Sequence, residues 1–149
     1  MPPTASRPVP AQAGIGLRSA HHDEFLERRP PVPWVEVHSE NFFADGGRQL
    51  QVLDAVRRDY GLSLHGVGLS LGGTDPLDAD HLRRLKRLVQ RAEPALVSEH
   101  VSWSAADGIF LNDLLPLPYT EAALSHTAAR VAAVQDYLGR QILVENVSS

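Results

Sequence analysis

GIGLRSAHHDEF, Gly14–Phe25, decides between two ways of folding an alternating α/β chain. In an open doubly wound sheet the first βα turn carries a glycine-rich phosphate loop that opens a long helix. Here Gly14 and Gly16 fall inside the apolar run GIGLR, and a crowd of polar groups follows it. That placement favours a closed βα barrel, whose strands end in polar, chemically useful residues.

The rest of the chain extends the pattern. WVEVHSE (Trp34–Glu40) and LSLHGVGLS (Leu62–Ser70) alternate apolar and polar residues with the period of a strand. ALVSEHVSW (Ala95–Trp103) and QILVENVSS (Gln141–Ser149) bring the set to five. Helical spacing lies between them. His22–Arg28 supplies one or two turns, and Leu50, Leu53, Val56 and Tyr60 mark a second helix. Asp78 is placed to cap a third, with Leu82, Leu85, Leu88, Val89 and Ala92 inward and Pro94 beyond its end. Thr120 is placed to cap a fourth, with Leu124, Val131 and Leu138 inward and Gly139 as its stop.

Strand–helix repetition predicts parallel strands joined by right-handed crossovers. The mean step between strand starts is about 32 residues, close to the roughly 31 of a (β/α)8 unit. The expected fold is α/β, a TIM-type (β/α)8 barrel of which residues 14–149 hold about the first five strands. Five strands do not close a barrel, so the chain is expected to be truncated after strand five. Residues 1–13, rich in proline, are expected to form a flexible arm.

Composition narrows the function. The 149 residues are 43% hydrophobic and 21% charged, which is globular. The net charge of −4 gives no electrostatic case for nucleic-acid binding. With no cysteine, disulfides, thiolate metal sites and cysteine nucleophiles are excluded within this chain. No apolar run is long enough to span a membrane, and the prolines of MPPTASRPVPAQA replace a signal peptide's apolar core. A cytoplasmic location is expected.

Each strand finishes in residues that packing alone would not select. Strand one runs into His21 and His22; strand two carries Glu36, His38, Glu40 and Asn41; strand three carries His65; strand four carries Glu99 and His100; strand five carries Glu145 and Asn146. Histidine and carboxylate converging from adjacent strand ends is a ligand set for zinc, manganese or iron. Taken singly, His65 and His100 read first as hydrogen-bonded core histidines. Glu145, after Ile142, Leu143 and Val144, is expected to be buried and so to need a metal, an arginine such as Arg18, or a set of donors. Neighbouring strand residues face opposite sides, so only one of Glu99 and His100 points into the barrel; His100 is chosen. The glycine-rich HGVGLSLGGTD (His65–Asp75) lacks the P-loop lysine and reads as a tight loop, and no Ser–His–Asp triad setting stands out.

WVEVHSENFF, LSLHGVGLSLGG, VSEHVSW, LPLPYTEAAL and ILVENVSS, in this order, resemble the N-terminal half of the DUF692 family, also called UPF0276 or the multinuclear non-heme iron-dependent oxidative enzymes. The resemblance covers Gly14–Ser149. It implies a barrel with two or three iron ions at its mouth, dioxygen as co-substrate, and oxidative modification of cysteine residues in a ribosomally made precursor peptide, in some members with a partner protein that recruits the peptide. It also implies that His65, His100 and Glu145 are metal ligands. Glu36, His38, Asn41, Glu99 and Asn146 occupy motif positions that would orient the ligands or contact substrate; no catalytic residue is assigned. The family's later strands supply further Asn, Asp and His ligands that are not in this chain. Two other readings stay open: a divalent-metal sugar isomerase or phosphodiesterase-type barrel, and an inactive fragment or non-catalytic metal-binding subunit.

Overall fold

The computed structural model describes residues 8–147. Thirteen short elements alternate as expected. They include β1 (Ile15–Gly16), α1 (His22–Arg28), β2 (Trp34–His38), α2 (Arg48–Asp59), β3 (Gly61–Gly66), α3 (Ala79–Ala92) and β4 (Leu96–Val101). A hairpin follows, β5 (Trp103–Ala106) and β6 (Ile109–Leu115), then α4 (Glu121–Leu138) and β7 (Leu143–Asn146). Single 3-10 turns precede α1 and follow β2.

The strand order settles the architecture. β1, β2, β3, β4 and β7 form one sheet in that order, and every pair is parallel. A doubly wound sheet would reverse direction at a switch point. Here each new strand is added to the same edge, and consecutive helices pack side by side, α1 on α2, α2 on α3 and α3 on α4. This is the arrangement of a TIM-type barrel through its fifth strand.

The sheet has one apolar face. Val35, Val37, Leu62, Leu64 and Val97 alternate along β2, β3 and β4 and meet Leu50, Leu53, Val56, Leu88 and Ala92 from the helices. Leu64 and Leu53 are completely buried. A second cluster joins Leu69 and Leu71 of the loop after β3 to Leu82 and Leu85 of α3 and Val134 and Leu138 of α4. The residues between the apolar ones, Glu36, His38, Ser63, His65, Ser98 and His100, therefore share the opposite, inner face.

The expected caps hold the helix starts. Asp78 Oδ1 accepts from the amides of Asp80 (2.8 Å) and His81 (3.2 Å), and Thr120 Oγ1 accepts from Ala123 (3.1 Å). Each such cap is worth about 1 kcal/mol. Gly139 ends α4 with φ of 73°, a left-handed position that glycine adopts without strain.

Four details add to this outline. First, the polar stretch after β4 folds back as the β5–β6 hairpin around Asp107 (φ 52°) and Gly108 (φ 73°). An Asp-Gly pair between β-prone runs is a hairpin signal, and Asp75 fixes it by accepting both turn amides (3.2 and 3.0 Å). Second, Leu124, assigned inward, is 64% exposed, because nothing among the described residues covers the N-terminal half of α4 on that side. Third, β7 is exposed throughout, with Leu143 and Val144 about half accessible, because it forms the sheet's edge. Fourth, Pro8–Ala13 do not stand off as an arm. The Trp34 indole donates to the Gln12 carbonyl (2.8 Å), and the same ring lies so close to Gly14 that no Cβ fits there. The remainder of the predicted arm, residues 1–7, lies outside the described residues, as do Ser148 and Ser149.

Candidate metal centre

Parallel pairing brings the predicted ligands together. His38 is level with His65, and His100 is level with Glu145. The rings of His65 and His100 stand 4.6 Å apart between centroids, steeply inclined. Their Nε2 atoms lie 3.7 Å (His65) and 3.9 Å (His100) from Glu145 Oε2, and the three ligand atoms all fall within 4.8 Å of one another. Those separations are too long for hydrogen bonds. They leave a gap into which two imidazoles and one carboxylate converge.

The far side of each ring shows what the near side offers. His100 Nδ1 lies 3.2 Å from the Gly66 carbonyl, which can only accept, so the proton sits on Nδ1 and Nε2 carries a lone pair. His65 Nδ1 lies 2.7 Å from Ser98 Oγ, and that hydroxyl points on to the Leu64 carbonyl at 3.5 Å. The serine donates to the carbonyl and accepts from Nδ1, so His65 also presents Nε2 as a free donor atom. Imidazoles locked in this way are set as metal ligands. Both rings are buried, while the Glu145 side chain is 60% exposed. The burial expected for Glu145 is thus not found, because its strand is an edge, and Arg18 turns elsewhere.

The other candidates divide. Glu36 accepts from Ser63 Oγ (2.9 Å) on the inner face below the histidines. The His38 ring lies 5.7 Å from that of His65, and Arg18 Nη1 donates to His38 Nε2 (3.3 Å). Burial, then the Arg18 charge and the neighbouring His65, lower the His38 pKa, which keeps this ring neutral as an acceptor. Asn41 is exposed in the 3-10 turn after β2 and makes no hydrogen bond among the described residues. Asn146, pairing with Val101, turns to the other side of β7 and lines an apolar groove with Val144, Leu124 and Val131 of α4.

Glu99 also leaves the inner site. It faces the helices, as strand alternation requires once His100 faces inward. Only 2% of it is exposed, and burial, reinforced by Glu40, pushes its pKa up to about 8. The residues that sequence reading missed are those that orient the ligands. Ser98 sits two positions before His100 and so on its face, which was a readable signal. The Gly66 carbonyl carried no such sign.

The donor set fits a divalent first-row metal. Nitrogen and oxygen ligands without sulfur suit iron, zinc or manganese, and two histidines with one carboxylate is the ligand set of non-heme Fe(II) sites. No helix among the described residues is long and apolar enough to cross a membrane.

Comparison with known proteins identifies the family. The family described as RiPP precursor modification enzyme MbnB/TglH/ChrH matches residues 12–149. A UPF0276 protein of Anaeromyxobacter sp. (strain Fw109-5) is 54% identical over 136 residues, covering 91% of this chain and 48% of the relative. A UPF0276 protein of Chromobacterium violaceum is 53% identical over 141 residues, covering 95% and 51%. One from Acaryochloris marina is 49% identical over 136 residues, covering 91% and 49%. The chain spans about half the length of these curated relatives, and it belongs to the MbnB/TglH/ChrH family of RiPP precursor modification enzymes.

Proposed function

We propose that the protein of which this chain forms a part is an iron-dependent oxidative enzyme that modifies cysteine residues of a ribosomally made precursor peptide. His65, His100 and Glu145 would hold one iron, or share it with ligands from further strands, at the mouth of the barrel. The observation that carries this reading is the convergence of two Nε2 lone pairs and a carboxylate oxygen from three adjacent strand ends, with both Nδ1 protons already placed on protein acceptors.

Bound iron supplies the Lewis acidity and electron-transfer capacity that oxidation of a thiol by dioxygen requires. The chain's own groups do the positioning. Ser98 and the Gly66 carbonyl fix the planes of the two rings, so their nitrogens need no reorganisation when a ligand arrives. Burial of both rings excludes water from their side of the site. Arg18 and His38 stand beside His65 as hydrogen-bonding groups for the incoming chain or its thiolate. The proposal extends to two or three irons in the complete site, to recruitment of the peptide by a partner protein, and to action in the cytoplasm.

The test uses full-length protein purified without oxygen. Metal analysis should return iron, electron paramagnetic resonance should show coupled iron centres, and mass spectrometry of a co-expressed precursor peptide should show a mass change at cysteine that is lost in His65→Ala. Zinc or manganese alone, with modification of the peptide intact, would defeat the iron reading.

A further inference from the structure

We propose that Glu40, His81 and Glu99 form a second divalent-cation site, on the helix side of the sheet and separate from the one at the barrel mouth. The three residues come from three elements: Glu40 from the 3-10 turn after β2, His81 from the first turn of α3, and Glu99 from β4. One ligand atom from each lies within 4.8 Å of the others. Glu40 Oε1 and His81 Nε2 are 3.6 Å apart, beyond hydrogen-bond reach.

Each residue of the cluster has one buried atom without a partner. Glu40 Oε2, His81 Nε2 and Glu99 Oε1 are all buried without a hydrogen bond. Buried polar atoms are almost always satisfied, and three orphans in one cluster call for a shared partner. The remaining atoms are already used. Glu40 Oε1 accepts from the amides of Val67 and Gly68 (both 2.9 Å), and Glu99 Oε2 accepts from its neighbour's amide, His100 N–H (3.1 Å). His81 is steadied by Phe43, whose ring meets it edge-on at 4.9 Å.

The backbone makes room for the arrangement. A Cβ on Gly66 would collide with the Glu99 carboxylate, and one on Gly68 would press on the His81 ring (3.2 Å) and on Glu40 (3.3 Å). With both carboxylates ionised and the imidazole neutral, the cluster carries a formal charge of −2, which a divalent ion balances. One nitrogen and two oxygens suit Zn2+ or a neighbouring first-row ion. Such an ion would tie β4, the 3-10 turn after β2 and the start of α3 together, directly behind His100.

The experiment loads the full-length protein with Zn2+ after chelation. The starting variant, His65→Ala with His100→Ala, removes both inner imidazoles. It should retain one equivalent of Zn2+ that is lost when Glu99→Gln or His81→Gln is added. X-ray absorption at zinc in the starting variant should show a single imidazole on that ion, and Zn2+ should raise its melting temperature. The rise should vanish with Glu99→Gln, whose circular dichroism checks the fold. An unchanged Zn2+ count on adding either substitution overturns the proposal. So does a Glu99→Gln protein that binds as much Zn2+ as its parent and keeps the same Zn2+-dependent rise in melting temperature. If either outer substitution fails to fold, the imidazole count and the Zn2+-dependent melting shift of the starting variant decide: two imidazoles, or no shift, overturns it.

Discussion

Glu99 and His100 are consecutive residues of β4, yet they serve opposite faces of the sheet. His100 joins His65 and Glu145 on the inner face. Glu99 joins Glu40 and His81 on the helix side, under α3. The two clusters use the same residue types and share one strand, β4. What separates them is how the groups are held: each inner ring is braced from behind with its free nitrogen facing a gap, whereas the outer carboxylates also take backbone amides, Glu40 from Val67 and Gly68 and Glu99 from His100.

Substitutions that act on one face and spare the other sharpen this contrast. The largest effect is expected from His65→Ala or His100→Ala, which should abolish peptide modification and remove inner-site metal while the helical circular dichroism persists. Loss of fold in both would mean that the imidazoles serve the core and not a ligand. Next, Leu64→Ala, one residue from His65 but on the apolar face and fully buried, should lower stability by about 2–5 kcal/mol in urea denaturation. Metal stoichiometry at saturation should not change.

Glu99→Gln in chelated protein should then show a pH-dependent gain. The Glu99 pKa rises from 4.5 unfolded to about 8 folded, so between those values the native state holds a proton that the unfolded state has released. Stability from this group is therefore present below about pH 4.5 and lost as pH rises through about 8. Glutamine removes that loss, so the variant should exceed the parent by little at pH 5 and by a few kcal/mol at pH 8.5, read from denaturant midpoints. A pH-independent difference would break the assignment. The smallest effect belongs to Ser98→Ala, which unbraces His65 without removing a ligand and should weaken inner-site metal binding by about 10–100-fold in a competition titration.

Much of the fold could be read in advance because its signals are local. The caps at Asp78 and Thr120, the stop at Gly139 and the alternation in WVEVH and LSLH each depend on a few adjacent residues. The meeting of His65, His100 and Glu145 was legible too, since parallel strands in chain order put their ends side by side; their reading as ligands rests on the family resemblance. The hairpin is not anticipated although Asp107–Gly108 signals it, because a βα repeat places a helix after every strand. The Glu145 environment was misjudged because burial was inferred from its own strand, and burial is set by neighbours. The outer cluster was not legible as a unit. Alternation turns Glu99 away from His100, but Glu40 reaches it from a 3-10 turn and His81 from a helix, and no sequence period links them.

Strand order that follows chain order also gives the inner site a history. Synthesis runs from the N-terminus, and at about 5–20 residues per second the 45 residues from His100 to Glu145 take roughly 2–9 s. Glu145 is thus the last of the three groups to be made, on a strand with one neighbour in this sheet, whereas β3 and β4 carry His65 and His100 with strands on both sides.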